Sequence, residues 1–279
     1  MSTDYPWLTR PVGLADGPAM TAWFIETADR LLNRCRLSVL GQPYRLIEIE
    51  FYYCVLEHND TFAHRDPVQE HRGRWYFHKT KGVYRGGSFK GFDLTFGATN
   101  AHAGILIRAL EKPDGELVDG PSLSVDHLLA TTKCASVAVL DGRIAGRPVW
   151  DATNPMHLQE ESPGDVKPIL ATARVGLTLK KAGTDINPTK FLVRRYRFLT
   201  EPRRLSKGKV HMVLALHQAG KQPDEISKMT GCPRKSVDRY IADYRQGEID
   251  ADFAPYIGMD IGSAELCKLA GVARAVHGV

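Results

Sequence analysis

The sequence predicts an α+β protein: a compact mixed-sheet domain over about residues 1–205, a small helix-turn-helix over 206–246, and a tail over 247–279 with one short helix. Three observations carry this expectation. Short apolar runs with strand alternation lie among glycine-rich loops and show no regular strand–helix–strand period, which argues against a doubly wound sheet. An amphipathic stretch at 20–35 places a helix ahead of them. After residue 205, Gly220, Pro223, Gly231 and Pro233 punctuate three short segments of helical periodicity.

Taken in order, Met20–Cys35 repeats Trp23, Phe24, Ile25, Ala28, Leu31, Leu32 and Cys35 near helical spacing, with Pro18 at its start. Tyr44–Tyr53 alternates Ile47, Ile49, Phe51 and Tyr53 on one side with Glu48, Glu50 and Tyr52 on the other, the pattern of a strand. Trp75–His78, Leu94–Phe96 and Gly104–Leu110 are further strands, the last nearly all apolar apart from Arg108. Residues 171–179 read as a helix-to-turn segment and 191–199 as a strand. Three helices follow at Lys209–Gln218, from Pro223 to Met229, and at Arg234–Arg245, with a sharp turn at 230–233. Ala264–Ala270 is a last helix.

Composition excludes several classes. The chain has 279 residues, 43% apolar and 25% charged, which fits a globular protein and not a disordered one. No run reaches the ~18 to 20 apolar residues of a membrane span, and the N-terminus lacks a secretory pattern, so a cytoplasmic location is expected, nucleoid-associated if the chain binds DNA. Cys35, Cys54, Cys134, Cys232 and Cys267 are scattered, which suggests neither a disulfide framework nor a zinc knuckle. The net charge is only +5, yet a basic stretch runs through Lys180, Lys181, Lys190, Arg194, Arg195, Arg197, Arg203, Arg204, Lys207 and Lys209 into the C-terminal helices. Such a stretch can track a phosphate backbone. On the third helix Arg234, Lys235, Ser236 and Arg239 sit where a recognition helix meets DNA, and the arrangement resembles the modules of bacterial site-specific recombinases and regulators. A packing or dimerisation element of three helices is the alternative.

Chemistry concentrates in the larger domain. Two carboxylates and a tyrosine share one face of an otherwise apolar strand, so a cleft wall is plausible, where an acid must be paired. His64 and Asp66 follow in a loop. The segment Lys81–Gly91 mixes glycines with Tyr84, Phe89 and bases, and could approach a phosphate or a flat ring. It is neither a Walker loop nor a dinucleotide fingerprint, and no serine elbow or cysteine–histidine signature stands out.

The order of segments over residues 44–200 resembles the methylpurine-DNA glycosylase (alkyladenine glycosylase) family. The matching pieces are Leu46–Tyr52, His64, Gly104–Pro113, Asp119–Leu123, Ala173–Leu177 and Phe191–Arg194. That resemblance implies a fold that flips a damaged base out of DNA and hydrolyses its glycosidic bond. Glu50 would activate water, Tyr52 would pack on the flipped base, and His64 would line the opposite wall. Tyr84, Phe89 and Arg108 complete the implied substrate set, with Phe89 as an apolar wedge. The chain departs from the family in a longer loop between Tyr52 and His64, and in Tyr84–Phe89 where the family has several tyrosines. Asp93 or Phe96 stands where an asparagine is usual. No lysine is placed as a Schiff-base nucleophile, so simple hydrolysis without metal or organic cofactor is expected. Arg108 is expected to pair with Glu48, leaving Glu50 free. A hydrolase of free nucleosides or nucleotides and a non-catalytic reader of modified DNA remain as alternatives. The sequence leaves the oligomeric state open.

Overall fold

The computed structural model describes residues 5–11, 17–162, 164–180, 182 and 187–278. Lys181 of the basic stretch lies outside them. The chain packs as two compact units. The first takes in the described residues up to Asn59, then Ala63–Ile169 and Phe198–Thr200; the second holds Asp60–Phe62, Leu170–Arg197 and the chain from Glu201 onward. The expected boundary at 205 therefore falls inside the second unit.

In the first unit, Pro at the first turn starts α1 (Pro18–Asp29), which runs into a π-helical turn at Arg30–Arg34. The strands are β1 (Cys35–Val39), β2 (Gln42–Val55), β3 (His58–Asn59), β4 (Arg72–Phe77), β5 (Lys79–Thr80), β6 (Val83–Tyr84), β7 (Phe92–Phe96), β8 (His102–Glu111), β9 (Leu117–Asp119) and β10 (Met156–Glu160). The main sheet has the order β10-β1-β2-β8-β7-β4, with β3 on β2 and β9 on β8, while β5 and β6 form a separate hairpin. Every pairing along that path is antiparallel. Two helices, α2 (Pro121–Thr132) and α3 (Val137–Ile144), follow β9. Gly120, at φ 139°, turns the chain into Pro121 at the first helical position. Neither helix is among the sequence expectations, and neither are β1 and β10.

Register settles which side chains share a face. Glu50 pairs with Leu106, Leu106 with Asp93, and Asp93 with Tyr76 across four neighbouring strands. Directly paired residues project to the same side of a sheet. The other side carries Phe51, Ile105, Ile107, Leu94, Phe96 and Trp75, all buried, and Phe24 of α1 stacks on Phe51 with ring centroids 4.4 Å apart. Burying these apolar groups, at roughly 1.5–3 kcal/mol each, stabilises the packing of the sheet on α1.

The second unit contains β11 (Leu170–Thr172), α4 (Asn187–Leu192), part of β12 (Arg197–Leu199), α5 (Lys209–Gln218), α6 (Pro223–Thr230), α7 (Arg234–Asp250) and α8 (Ser263–His277). Two sequence expectations are corrected here. Residues 171–179 begin as a strand and continue without a helix, and 191–199 is the end of α4, a bend and a short strand. The run Phe-Leu-Val is too short for periodicity to separate helix from strand. The unit is tied by the bidentate Arg174–Asp60 pair, 2.6 and 3.2 Å, both side chains fully buried. Val213, Leu216, Ile226, Cys232, Val237 and Ile241 form the core among α5, α6 and α7. Gly231, at φ 71°, ends α6, and Pro233 stands directly before α7.

The third helix continues five residues past the expected Arg245, and the expected short helix of the tail is the longer α8, packed on it. Gly247 and Gly271 make this possible: a Cβ on Gly247 would lie 1.8 Å from the Lys268 carbonyl oxygen, and one on Gly271 2.0 Å from that of Tyr244. Backbone thus meets backbone between α7 and α8. No single helix among the described residues is long and apolar enough to cross a membrane.

Candidate active site

The polar face of the sheet collects the candidate chemistry. Glu48 and Glu50 project from the middle of β2 and are 1% and 0% exposed. A register irregularity on either side of Glu48 re-aims it, so that both carboxylates reach one cation. The Arg108 Nε, from β8, lies 2.7 Å from Glu48 Oε1 and 3.4 Å from Glu50 Oε1. Glu48 therefore does pair with Arg108, but Glu50 is not left free of it. Burial disfavours the guanidinium charge, and the two carboxylates, Glu50 first, outweigh burial and raise its proton affinity. The half-buried Tyr52 hydroxyl donates to Glu50 Oε2 at 2.9 Å.

Along the same face lies a second polar cluster. Asp93 Oδ1 is 2.7 Å from His78 Nε2, and Gln69 Nε2 donates to Asp93 Oδ2 at 3.1 Å. His64 packs edge-to-face on His78 with centroids 4.3 Å apart, and its Nδ1 is 3.3 Å from the Tyr76 hydroxyl. The Lys79 backbone N–H donates to that hydroxyl. Burial, reinforced by His78, pushes the His64 pKa down to about 4, which agrees with a neutral ring.

The remaining sequence candidates sit elsewhere. The Tyr84 hydroxyl donates to Asp141 at 2.6 Å beside a cavity of about 380 Å³ that Lys79 and Tyr76 also line. Phe89, in a short 3-10 turn, is 72% exposed. So Tyr52 and Arg108 both reach Glu50, His64 joins the cluster of Tyr76 and His78, and Tyr84 and Phe89 lie elsewhere. Sequence reading missed His78, Tyr76 and Gln69. Strand alternation from Tyr76 to His78 is the signal that could have placed two of them on one face.

In the second unit, Lys235 and Arg239 are exposed near the start of α7, Ser236 is half-buried, and Lys207 is exposed ahead of α5. Arg234 is engaged: its guanidinium pairs with Asp224 and, at 3.1 Å, with Asp238. Arg239 also lies over the Tyr240 ring, 5.5 Å from its centroid. Among the described residues no group of three or more histidines, cysteines and acids could hold a metal ion.

No family model matches the chain, and no solved structure matches it. An uncharacterised protein of Acanthamoeba polyphaga mimivirus is similar, 36% identical over 135 residues, which cover 43% of this chain and 62% of the viral protein. The match thus spans less than two thirds of the relative's length.

Proposed function

We propose that the chain is a monofunctional N-glycosylase that flips a modified or damaged base out of DNA and hydrolyses its glycosidic bond, as the resemblance to the methylpurine-DNA glycosylase family implies. The observation that carries this reading is the environment of Glu50: a fully buried carboxylate held by Tyr52 and Arg108 on a sheet face that also bears two imidazoles. Breaking an N-glycosidic bond builds positive charge on the sugar. A carboxylate fixed in a dry site stabilises that charge and accepts a proton from the attacking water. Tyr52 orients Glu50 through its hydroxyl and offers its ring as a stacking surface for an extruded base. Exposed Phe89 suits the space that base vacates.

In this reading α5–α7 form a helix-turn-helix that adds sequence-independent affinity for DNA, with Lys207, Lys235 and Arg239 at phosphates or base edges. The exposed bases of α7 also favour a second reading, a non-catalytic reader of modified DNA. One experiment separates the two. Duplexes with alkylated or deaminated purines are incubated with the protein and with Glu50→Gln, and free base and abasic sites are measured. Base release lost in the variant supports the glycosylase; salt-dependent binding without release, unchanged by the substitution, supports the reader.

A further inference from the structure

In the second unit a cavity of about 460 Å³ lies between the end of α5, the turn into α6 and one side of α7. Three basic side chains line it: His217 in the last turn of α5, Lys221 in the turn, and Arg245 on α7. Buried Ile241 adds an apolar wall. Among its lining residues the one acid is Asp238, which already pairs with Arg234 at 3.1 Å.

Like charges gathered around one concavity repel each other unless an anion lies among them. Burial first, and then the charge of Arg245, lower the proton affinity of the His217 ring, while Glu248 of α7 works the other way. The Tyr244 ring, also from α7, meets it edge to face with centroids 6.0 Å apart. Lys221 pairs with Glu225 at 2.6 Å, but both side chains are well exposed, so water competes for that bond. Arg245 is exposed and, among the described residues, makes neither a hydrogen bond nor an ion pair. Its place on the helix matters as well. Arg245 comes ten residues after Lys235, and at ~100° per residue it stands about 80° around α7 from it. A helix in the major groove turns one side to the base edges and its flanks to the phosphate walls. With Lys235 toward the bases, Arg245 and the cavity face one wall.

We propose that this cavity is a phosphate site: Arg245 and Lys221 grip one phosphate group, and His217 takes up a proton from solvent as the group binds. The phosphate is a diester of the DNA backbone or the monoester of a small ligand, and either presents anionic oxygens to the same donors. The first source rests on the helix-turn-helix reading; the second does not. An anion beside the ring offsets the field of Arg245 and favours the imidazolium, as does the carbonyl end of α5. Phosphate affinity therefore rises as pH falls through the span between the lowered proton affinity of the free ring and the higher one of the occupied site.

The His217 titration is followed by NMR on the whole chain, with its ring signals assigned through the backbone. An undamaged DNA duplex or ribose 5-phosphate is added in phosphate-free buffer at constant ionic strength. The proton affinity of the ring is expected to rise ~10-fold or more with at least one of them. Arg245→Gln, a change at an exposed side chain, should abolish that rise. A rise with the duplex assigns the site to the DNA backbone, and duplex affinity should then fall ~10-fold or more in Arg245→Gln. A rise with ribose 5-phosphate alone assigns it to a small ligand. If no duplex binds at all and that rise is still seen, the helix-turn-helix reading fails and this site stands. A His217 titration that neither addition moves overturns the proposal, as does a rise that persists unchanged in Arg245→Gln.

Discussion

The Nε of Arg108 lies 2.7 Å from Glu48 Oε1, in a setting where the two side chains are 7% and 1% exposed, and the same nitrogen reaches Glu50 at 3.4 Å. One guanidinium thus serves two buried carboxylates. Removing the cation should therefore be worse than removing either acid. Arg108→Met is expected to destabilise by ~3 to 5 kcal/mol or more. Glu48→Gln leaves the Arg108–Glu50 contact in place and should cost nearer the ~1.5 to 3 kcal/mol of one charged hydrogen bond. Denaturant midpoints on the two variants give the order, and a larger loss for Glu48→Gln would contradict the shared-cation geometry.

Glu50→Gln keeps the size and hydrogen-bonding reach of the side chain while removing its charge. The variant should stay folded and bind substrate, with turnover reduced to background. Binding by gel shift and base release in single turnover check the two halves. Wild-type turnover would remove the centre of the proposed mechanism.

His64 gives stability a pH slope. Its pKa falls from 6.5 to about 4 on folding, mainly through burial. Between those values the unfolded chain binds the proton and the folded one does not, so stability drops as pH falls from about 6.5 toward 4. The full effect is on the order of 3 kcal/mol, less to the extent that water reaches the half-exposed ring. Unfolding curves of wild type and His64→Gln at pH 4.5 and 7 read it out; the variant should have lost this part of the slope.

Asp60 and Arg174 are both completely buried and joined by two hydrogen bonds, with the Arg174 guanidinium also 5.5 Å from the Tyr196 ring centroid. Asp60→Asn is expected to cost ~3 to 5 kcal/mol. Arg174→Lys should not rescue an Arg174→Ala variant, because an ammonium cannot supply the paired donors or the flat cation over the ring. Thermal melts of the three proteins decide this.

Gly271→Leu forces a side chain into the seam where α7 and α8 touch through their backbones. Overpacking costs ~1 to 3 kcal/mol or more, and far-UV circular dichroism with a melt should show a lower midpoint. A Leu at Gly142, whose Cβ position meets nothing, is the control.

How much of this could be read from the sequence depended on how local the cause was. The strand holding Glu48, Glu50 and Tyr52 was legible because alternation is a property of neighbours. So were α5, α6 and the start of α7, which glycine and proline delimit. The bulge at Glu48 was not, since it depends on how β2 meets β8, and without it the sharing of Arg108 could not be foreseen. His78 and Asp93 are fifteen residues apart and come together only through the β4–β7 pairing. The glycines of α7 and α8 looked like helix weaknesses in one dimension; across the helix pair they are contact points.

Asp60 finds Arg174 across 114 residues of chain, and three residues near position 200 return to complete the first unit after the second has begun. The chain is therefore laced rather than strung. A ribosome that has released the first 169 residues has not released a finished first unit, and Asp60 waits with its charge unmet until Arg174 emerges. Cutting the gene after residue 205 would likewise not detach a module: it would keep the Arg174–Asp60 knot and discard the helices packed in the same unit. Deletion experiments meant to separate DNA anchoring from catalysis are better replaced by point changes at Lys235 and Arg239, each expected to lower the salt slope of DNA binding by about 1 while the woven core stays whole.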